Sequence, residues 1–388
     1  MKLLHVFDLF SPPLGGGTVA IIHKIARALA RKGHEIVVYT SDFQLDQQYI
    51  DSLEGIKVHA FRCISHVGNF FLTPAIITEA KKQIQNFDVV HLHCFRSFQN
   101  IIIHHYAKKY RIPYVLDAHG SVPRTTRSQR NTKWLLKWLY DIPYGYSILR
   151  DAARVIAETE KGYDEYIEMG VARDKIDVIT PPFDVEEFAD LPASGLFREK
   201  YHITAKHIIL FLGRIHWIKG LDFLVESFGE MVKSGTDAIL VIAGPDDGFQ
   251  ADLEKLIAEL NITEKVLFTG YIDGEEKLAS FVDADVVVQT SVYEQGTGVP
   301  FEAILCGTPI IVSSNTVASE NVKSIDAGYL VEYGNKNELI ATIHHVLKHR
   351  DEAKAKTKKA GKYVRANLSL EKGVEKYEQV YMEVTGTT

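Results

Sequence analysis

Residues 211–220 read FLGRIHWIKG, and their reading decides how the rest of the chain divides. A run of apolar residues, Ile208–Gly213, stops at a glycine. Two cations, Arg214 and Lys219, follow five positions apart, and Gly220 then opens an amphipathic stretch. Leu221, Leu224, Val225 and Phe228 fall on one stripe of a helix with about 3.6 residues per turn. Strand, loop and helix in that order begin a parallel β–α unit, whose ligands bind beyond the carboxyl ends of the strands. Cations at such an end suit a diphosphate, arginine as a planar fork and lysine as a point charge. The alternative is a pair of ordinary surface cations.

Outward from this segment the same pattern repeats in both directions. Before it, candidate strands are Leu3–Leu9, Glu35–Thr40, Ile56–Phe61, Asp88–His93, Tyr114–Ala118, Arg154–Ala157 and Ile176–Ile179. After it come Ala238–Ala243, Val266–Thr269, Asp285–Thr290, Pro309–Ser313 and Tyr329–Val331. Continuous apolar strands separated by helix-length stretches imply parallel sheets covered on both faces. Pro181 and Pro182, in ITPPFDVEEF, cannot continue a ladder and mark a boundary. The expected fold is α/β, with two facing Rossmann-like domains. They span 1–180 and 190–369, joined by a linker at 181–189, and a helix at about 370–388 is free to return to the first. A cleft between two such domains would face both glycine-bearing loops.

Composition limits the functional classes. The 388 residues are 46% hydrophobic and 24% charged, without a biased tract, as in a soluble globular protein. The net charge of −6 is uneven: residues 1–180 hold 23 Lys+Arg against 18 Asp+Glu, and the remainder 21 against 32. So acidic a chain is a poor nucleic-acid binder. Met1–Asp8 reads as a strand rather than a signal peptide, and no apolar run nears the roughly 20 residues of a membrane span. Cys63, Cys94 and Cys306 are far apart and form no disulfide or metal pattern. A cytoplasmic location is expected.

Several further segments carry chemistry. SPPLGGGTVA, residues 11–20, offers Gly15, Gly16 and Gly17 as a loop ahead of a helix from Thr18 to Ala30, where backbone N–H groups could meet an anion or a sugar hydroxyl. Its glycines lack the GxGxxG spacing of a dinucleotide site. His119 and Gly120 stand just past a strand end. His91 and His93 share a strand face, with His104 and His105 on the next helix, but the spacing does not bring them to a common metal. YEQGTGVPFEAILCGTP, residues 293–309, sets Glu294 and Glu302 eight positions apart. Pro300 is expected to begin a helix that runs through Cys306, placing Glu302 in its first turn.

Together these segments resemble the retaining glycosyltransferases of family 4, which have the two-domain GT-B fold. The likeness covers nearly the whole chain: Gly16-Gly17, RKGHEIVVYT, His119-Gly120, GRIHWIKG, IAGPDDG, and the Glu-x7-Glu element ending in EAILCGTPIIVS. It implies an enzyme that moves a sugar from a UDP-, GDP- or ADP-sugar to a glycan or lipid-linked acceptor. No separate cofactor and no metal are expected. On the same likeness, Arg214 and Lys219 neutralise the diphosphate, Glu302 accepts from the ribose, and Glu294 holds a sugar hydroxyl. Gly298 and Val299 offer backbone amides, Tyr271 lies near the base, His119 near the sugar's C6 end, and Gly16 and Gly17 near phosphate and acceptor. The family's common Glu-Gly-Phe-Gly is here Glu294-Gln295-Gly296-Thr297, so the identity of the donor sugar does not carry over.

Residues 124–150 contain six basic residues and one acid, Asp141. A helix over Thr132–Ile142 would align Trp134, Leu135, Trp138, Leu139 and Ile142, with Lys133 and Lys137 at the flank. Such a helix suits an anionic membrane surface or a lipid-phosphate acceptor, and equally an ordinary packing helix with a basic edge. Two rival functions share the architecture: a nucleotide-sugar epimerase, and a non-catalytic two-lobed sugar-binding protein. A glycosidase-like use of the two glutamates would leave the cations unexplained.

Overall fold

The computed structural model describes residues 1–10, 12–68, 70–122, 133–294, 296 and 298–387, and for 12–16, 133 and 134 the backbone only. The chain forms two compact units, Met1–Pro182 with Leu368–Thr388, and Phe183–Asn367.

The first unit is built on β1 (Lys2–Val6), β2 (Glu35–Ser41), β3 (Ile56–Phe61), a hairpin of β4 (Ser65–Val67) and β5 (Phe70–Leu72), then β6 (Val89–His93), β7 (Tyr114–Asp117), β8 (Arg154–Ala157) and β9 (Ile176–Val178). Seven of these strands form a parallel sheet in the order β3-β2-β1-β6-β7-β8-β9, and the hairpin stands apart as an antiparallel pair. β1, β6 and β7 are covered on both faces, and all their side chains but that of Lys2 are buried. One core layer holds Leu4, Val90, Leu116 and Ile148. The other is completed by the final helix, Leu370–Thr385, which lays Val374, Tyr377 and Tyr381 against Leu3, Ile25, Val89 and Val115.

The second unit contains β10 (His207–Leu212), β11 (Ala238–Ala243), β12 (Val266–Gly270), β13 (Val286–Gln289), β14 (Ile310–Ser313) and β15 (Tyr329–Val331), parallel in the order β12-β11-β10-β13-β14-β15. The strand order reverses beside β10, so β10 and β13 flank the switch point at which ligands of such sheets bind. Leu221, Leu224, Val225 and Phe228 of the helix Leu221–Lys233 enter the core, as their spacing predicts, and Phe223 joins them.

Two local expectations fail. The glycines of SPPLGGGTVA do not form a loop; they lie within a helix that already begins at Pro12 and runs to Arg31. Proline is tolerated in a first turn because its missing N–H would have no intrahelical partner there. The helix after Glu294 begins at Gly298, not Pro300, and ends at Leu305.

Candidate active site

Three ion pairs collect in the loops and helix starts that follow β10 to β13. The chain leaves β10 through Gly213 and leaves β11 through Gly244, and the two backbones touch there. A Cβ on Gly244, at φ +144°, would lie 1.9 Å from the Gly213 carbonyl oxygen. Beyond the glycines, Ile215 N–H donates to the Pro245 carbonyl at 2.9 Å, and Asp247 N–H to the Ile215 carbonyl at 3.0 Å. The segments GRIHWIKG and IAGPDDG thus form one wall, on which Asp247 pairs with Arg214. Arg214 remains half exposed.

Lys219 closes a short 3-10 turn, Trp217–Lys219, whose Ile218 N–H donates to His216 Nδ1 at 3.2 Å. Gly220 follows at φ +63°, and a Cβ there would stand 2.2 Å from the Thr290 carbonyl oxygen. This close approach lays the end of β13 along the turn. Thr290 Oγ1 donates to the Gly220 carbonyl at 2.9 Å, and Val292 N–H to the Ile218 carbonyl at 2.9 Å. Glu294 is carried onto the Lys219 ammonium and also accepts from Ser291 Oγ at 3.2 Å. The Lys219 and Glu294 side chains are 17% and 21% exposed, enclosed enough to interact strongly and open enough to meet a ligand.

Glu302 lies in the second turn of Gly298–Leu305 rather than the first, so the helix dipole favours it less than the sequence suggested. What holds it is Lys277, whose ammonium stands 3.1 Å from Glu302 Oε1. Burial is the largest influence on Lys277 and pulls its pKa down. The Glu302 charge and hydrogen bond, with Glu187 behind them, outweigh it and raise the value. Gly298 and Val299 open the helix, where N–H groups have no intrahelical acceptor. Tyr271 is exposed just past β12. Gln295 and Thr297, where the chain departs from the common family wording, lie outside the described residues.

In the first unit His119 sits two residues beyond β7, in a left-handed turn at φ +44°. Its ring points inward, and both nitrogens are engaged. Nδ1 meets Glu158 Oε1 at 2.7 Å, and Nε2 meets His93 Nδ1 at 3.0 Å. His93 Nε2 in turn meets His5 Nδ1 at 2.9 Å, while His91 Nδ1 reaches the Tyr381 hydroxyl at 2.7 Å. A wholly buried imidazole disfavours its charged form, and burial alone would lower the His119 pKa. The carboxylates of Asp117 and Glu158 overcome this and raise it to about 9. Burial holds His5 at about 4 and drives His91 and His93 well below the usual imidazole value.

The fold brings together histidines that the sequence spacing leaves apart. Donor atoms of His5, His91 and His93 lie within 4.8 Å of one another, as do those of Asp117, His119 and Glu158. At 2.9 Å, His5 and His93 sit at hydrogen-bond distance, closer than the roughly 3.3 Å between two nitrogens on one tetrahedral zinc. Hydrogen bonding is therefore the better description. Gly16 and Gly17, as fifth and sixth residues of their helix, spend their N–H groups inside it and do not present the free amides expected of a loop.

Comparison with known proteins identifies the family and the fold. Residues 15–187 match the family model described as Glycosyltransferase Family 4, and residues 195–364 match Glycosyl transferases group 1. The chain belongs to glycosyltransferase family 4. An uncharacterized glycosyltransferase of Methanocaldococcus jannaschii is 28% identical over 89% of each chain. The D-inositol 3-phosphate glycosyltransferase of Kineococcus radiotolerans is 24% identical over 80% of this chain and 76% of its own. Among solved structures, Anabaena HepE in complex with UDP and glucose superposes with a TM-score of 0.81 at 18% identity, covering 99% of this chain and 100% of that one. The lipopolysaccharide glycosyltransferase WaaG gives 0.75 at 15%, covering 99% and 100%. These likenesses establish the GT-B fold of this glycosyltransferase.

Within that family assignment, Lys277, Asp247, Glu158 and His5 are the residues that sequence reasoning missed. For Lys277 a signal existed: GEEKL starts a helix with a lysine in its first turns, where the dipole prefers acids. His5 offered less, since only the register of β1 against β6 sets it beside His91.

Proposed function

We propose that this glycosyltransferase transfers a sugar, with retention of configuration, from a nucleoside diphosphate sugar to a glycan or lipid-linked acceptor. It would do so in the cytoplasm, at the inner face of a membrane. The observation that carries the reading is the pairing of Lys219 with Glu294 beside Arg214, at the switch point of the second sheet. A cation and a carboxylate poised on each other can separate onto a phosphate and a sugar hydroxyl, so that neither charge is left uncompensated when the donor enters.

In this reading Arg214 and Lys219 stabilise the charge that grows on the diphosphate as the bond from the sugar's C1 to the phosphate oxygen breaks. The bonding pair leaves with the phosphate. The acceptor oxygen bonds to C1 on the same face, and its proton passes to the departing phosphate. Glu302, held by Lys277, takes the ribose, Gly298 and Val299 donate to phosphate or sugar, and Tyr271 borders the base. No metal takes part. Gly16 and Gly17 are assigned to the acceptor side. His119, with both ring nitrogens engaged, acts by holding the turn that follows β7.

UDP is the first donor to test, because the neighbour HepE binds UDP and UDP-glucose. Thermal melting with UDP, GDP, ADP and their sugars should single out one nucleotide, since a ligand stabilises the folded state that binds it. A chain unmoved by all of them would overturn the reading.

A further inference from the structure

Four titratable side chains of the first unit join into one line. The register of β1 on β6 sets His5 beside His91, and that of β6 on β7 sets His93 beside Asp117. His5, His91 and His93 share one face of the sheet, since positions two apart on a strand point the same way. From Glu158 Oε1 the line runs 2.7 Å to His119 Nδ1, then 3.0 Å from His119 Nε2 to His93 Nδ1, and 2.9 Å from His93 Nε2 to His5 Nδ1. The successive ring planes are within 12° and 14° of parallel, with centroids 5.3 and 5.1 Å apart. The rings therefore lie edge to edge, and their nitrogens meet head on. The line ends at His5 Nε2, which is buried without a partner among the described residues.

Each bond between two imidazoles needs one N–H and one lone pair, so a proton placed on one ring fixes the others. His119 Nδ1 faces Glu158 at 2.7 Å and Asp117 at 3.5 Å. A lone pair there would be repelled by two carboxylates, so that nitrogen carries a proton. The same carboxylates hold His119 in its charged form, and Nε2 is therefore protonated too and donates to His93 Nδ1. His93 is left with its proton on Nε2, which donates to His5 Nδ1, and His5 with its proton on Nε2. Burial keeps His5, His91 and His93 neutral. It does the same for the titratable groups around them, the Cys94 thiol and the phenols of Tyr166, Tyr377 and Tyr381. One charge serves the whole line, and it sits beside the carboxylates.

We propose that His93 and His5 are positioning residues for His119: accepting one after the other, they keep its ring doubly protonated and fixed in the turn that follows β7. Loss of the charge then moves more than one proton. One proton leaves His5 Nε2 for solvent, the proton between His93 and His5 crosses to His5 Nδ1, and the proton between His119 and His93 crosses to His93 Nδ1. His119 keeps the proton that it gives to Glu158, and both bonds between imidazoles reverse without breaking. The final helix backs this line, because the Tyr381 hydroxyl meets His91 Nδ1 at 2.7 Å and the His91 ring lies 4.0 Å from that of His93. The consequence for transfer rests on the reading of His119 as a donor-site residue, whereas the proton arrangement does not.

Isotope-edited NMR of the full chain with labelled histidine rings distinguishes protonated from bare nitrogens and tests it. Near neutral pH, His93 and His5 should carry protons on Nε2 alone and His119 on both nitrogens. As pH rises through about 9, the protons of His93 and His5 should move to Nδ1 together with the loss of the His119 charge. A neutral-pH proton on His93 Nδ1, or three rings that change at separate pH values, would overturn the proposal. His93→Leu leaves the His119 Nε2–H without an acceptor. It should shed the charge about one pH unit lower and slow transfer about tenfold, with the melting shift by UDP unchanged. His93→Asn, whose amide oxygen can stand where Nδ1 stood, should restore both. Equal behaviour of the two variants would overturn the positioning role, since a packing defect alone gives that result. The expected proton positions in a chain that no nucleotide stabilises would support the line of protons and refute the donor reading.

Discussion

The Lys277 ammonium and Glu302 Oε1 stand 3.1 Å apart, from two helices that begin 24 positions apart in sequence. Paired, they hold one carboxylate in a fixed place, with its second oxygen left for a ligand. Replacing Lys277 with methionine removes the hydrogen bond and leaves a largely enclosed carboxylate unpaired. The expected cost is about 1–2 kcal/mol of nucleotide affinity, roughly tenfold in Kd. Lys277→Arg should recover most of it. Isothermal titration with UDP measures both.

Glu294 and Glu302 should separate binding from transfer. Glu302→Ala is expected to weaken nucleoside diphosphate binding. Glu294→Ala should leave that binding within about threefold but lower sugar transfer by about a hundredfold, the usual scale for losing one contact made at the reacting centre. Equal effects of both on binding, with no difference in transfer, would show the roles to be wrongly divided.

Gly220 is confined both by a backbone neighbour and by its own left-handed conformation. Alanine there would meet the Thr290 carbonyl at 2.2 Å while holding φ at +63°. Separating the two segments would also break the bonds that lay Glu294 on Lys219. Gly220→Ala should lose about 2–4 kcal/mol in urea unfolding and lose transfer activity with it.

The His119 proton should be visible in stability. In an unfolded chain an imidazole titrates near 6.5, whereas here Asp117 and Glu158 hold the value at about 9 against the opposing effect of burial. A raised folded pKa stabilises fully below the unfolded value, and the benefit is lost as pH rises through about 9. Asp117, pushed up to about 6 chiefly by burial, has mostly titrated by about pH 7.5. Between about pH 7.5 and pH 10 the wild type should therefore lose about 2 kcal/mol more than His119→Gln. Parallel curves for the two proteins would contradict the charged state.

The sequence located all thirteen strands of the two large sheets within a residue or a few, because each is a continuous apolar run between helix-length stretches. The β4–β5 hairpin was not legible, since three-residue strands are too short for an alternation to register. The early start of the first helix was hidden by Pro12, Pro13 and three glycines, a wording shared by loops and by permissive first turns. In the site, the motif residues Arg214, Lys219, Glu294 and Glu302 were readable from spacing. Their partners were not, because Asp247 reaches Arg214 across a turn set by the backbone contact at Gly244, and Lys277 reaches Glu302 from a separate helix. His119 was readable as a strand-end residue, but not as an inward-facing one, since Glu158 lies 39 positions away on another loop.

The helix Leu370–Thr385 has a consequence for how the molecule is made. It supplies part of the first unit's core, although it is synthesised after the whole of the second. At about 5–20 residues per second, a ribosome spends roughly ten to forty seconds between Pro182 and the chain's last turn. Throughout that interval Leu3, Ile25 and Val115 lack the tyrosines that cover them, and His91 lacks Tyr381. The first unit is thus completed only after the second has been made, and until that helix emerges the nascent chain carries an uncovered apolar sheet face.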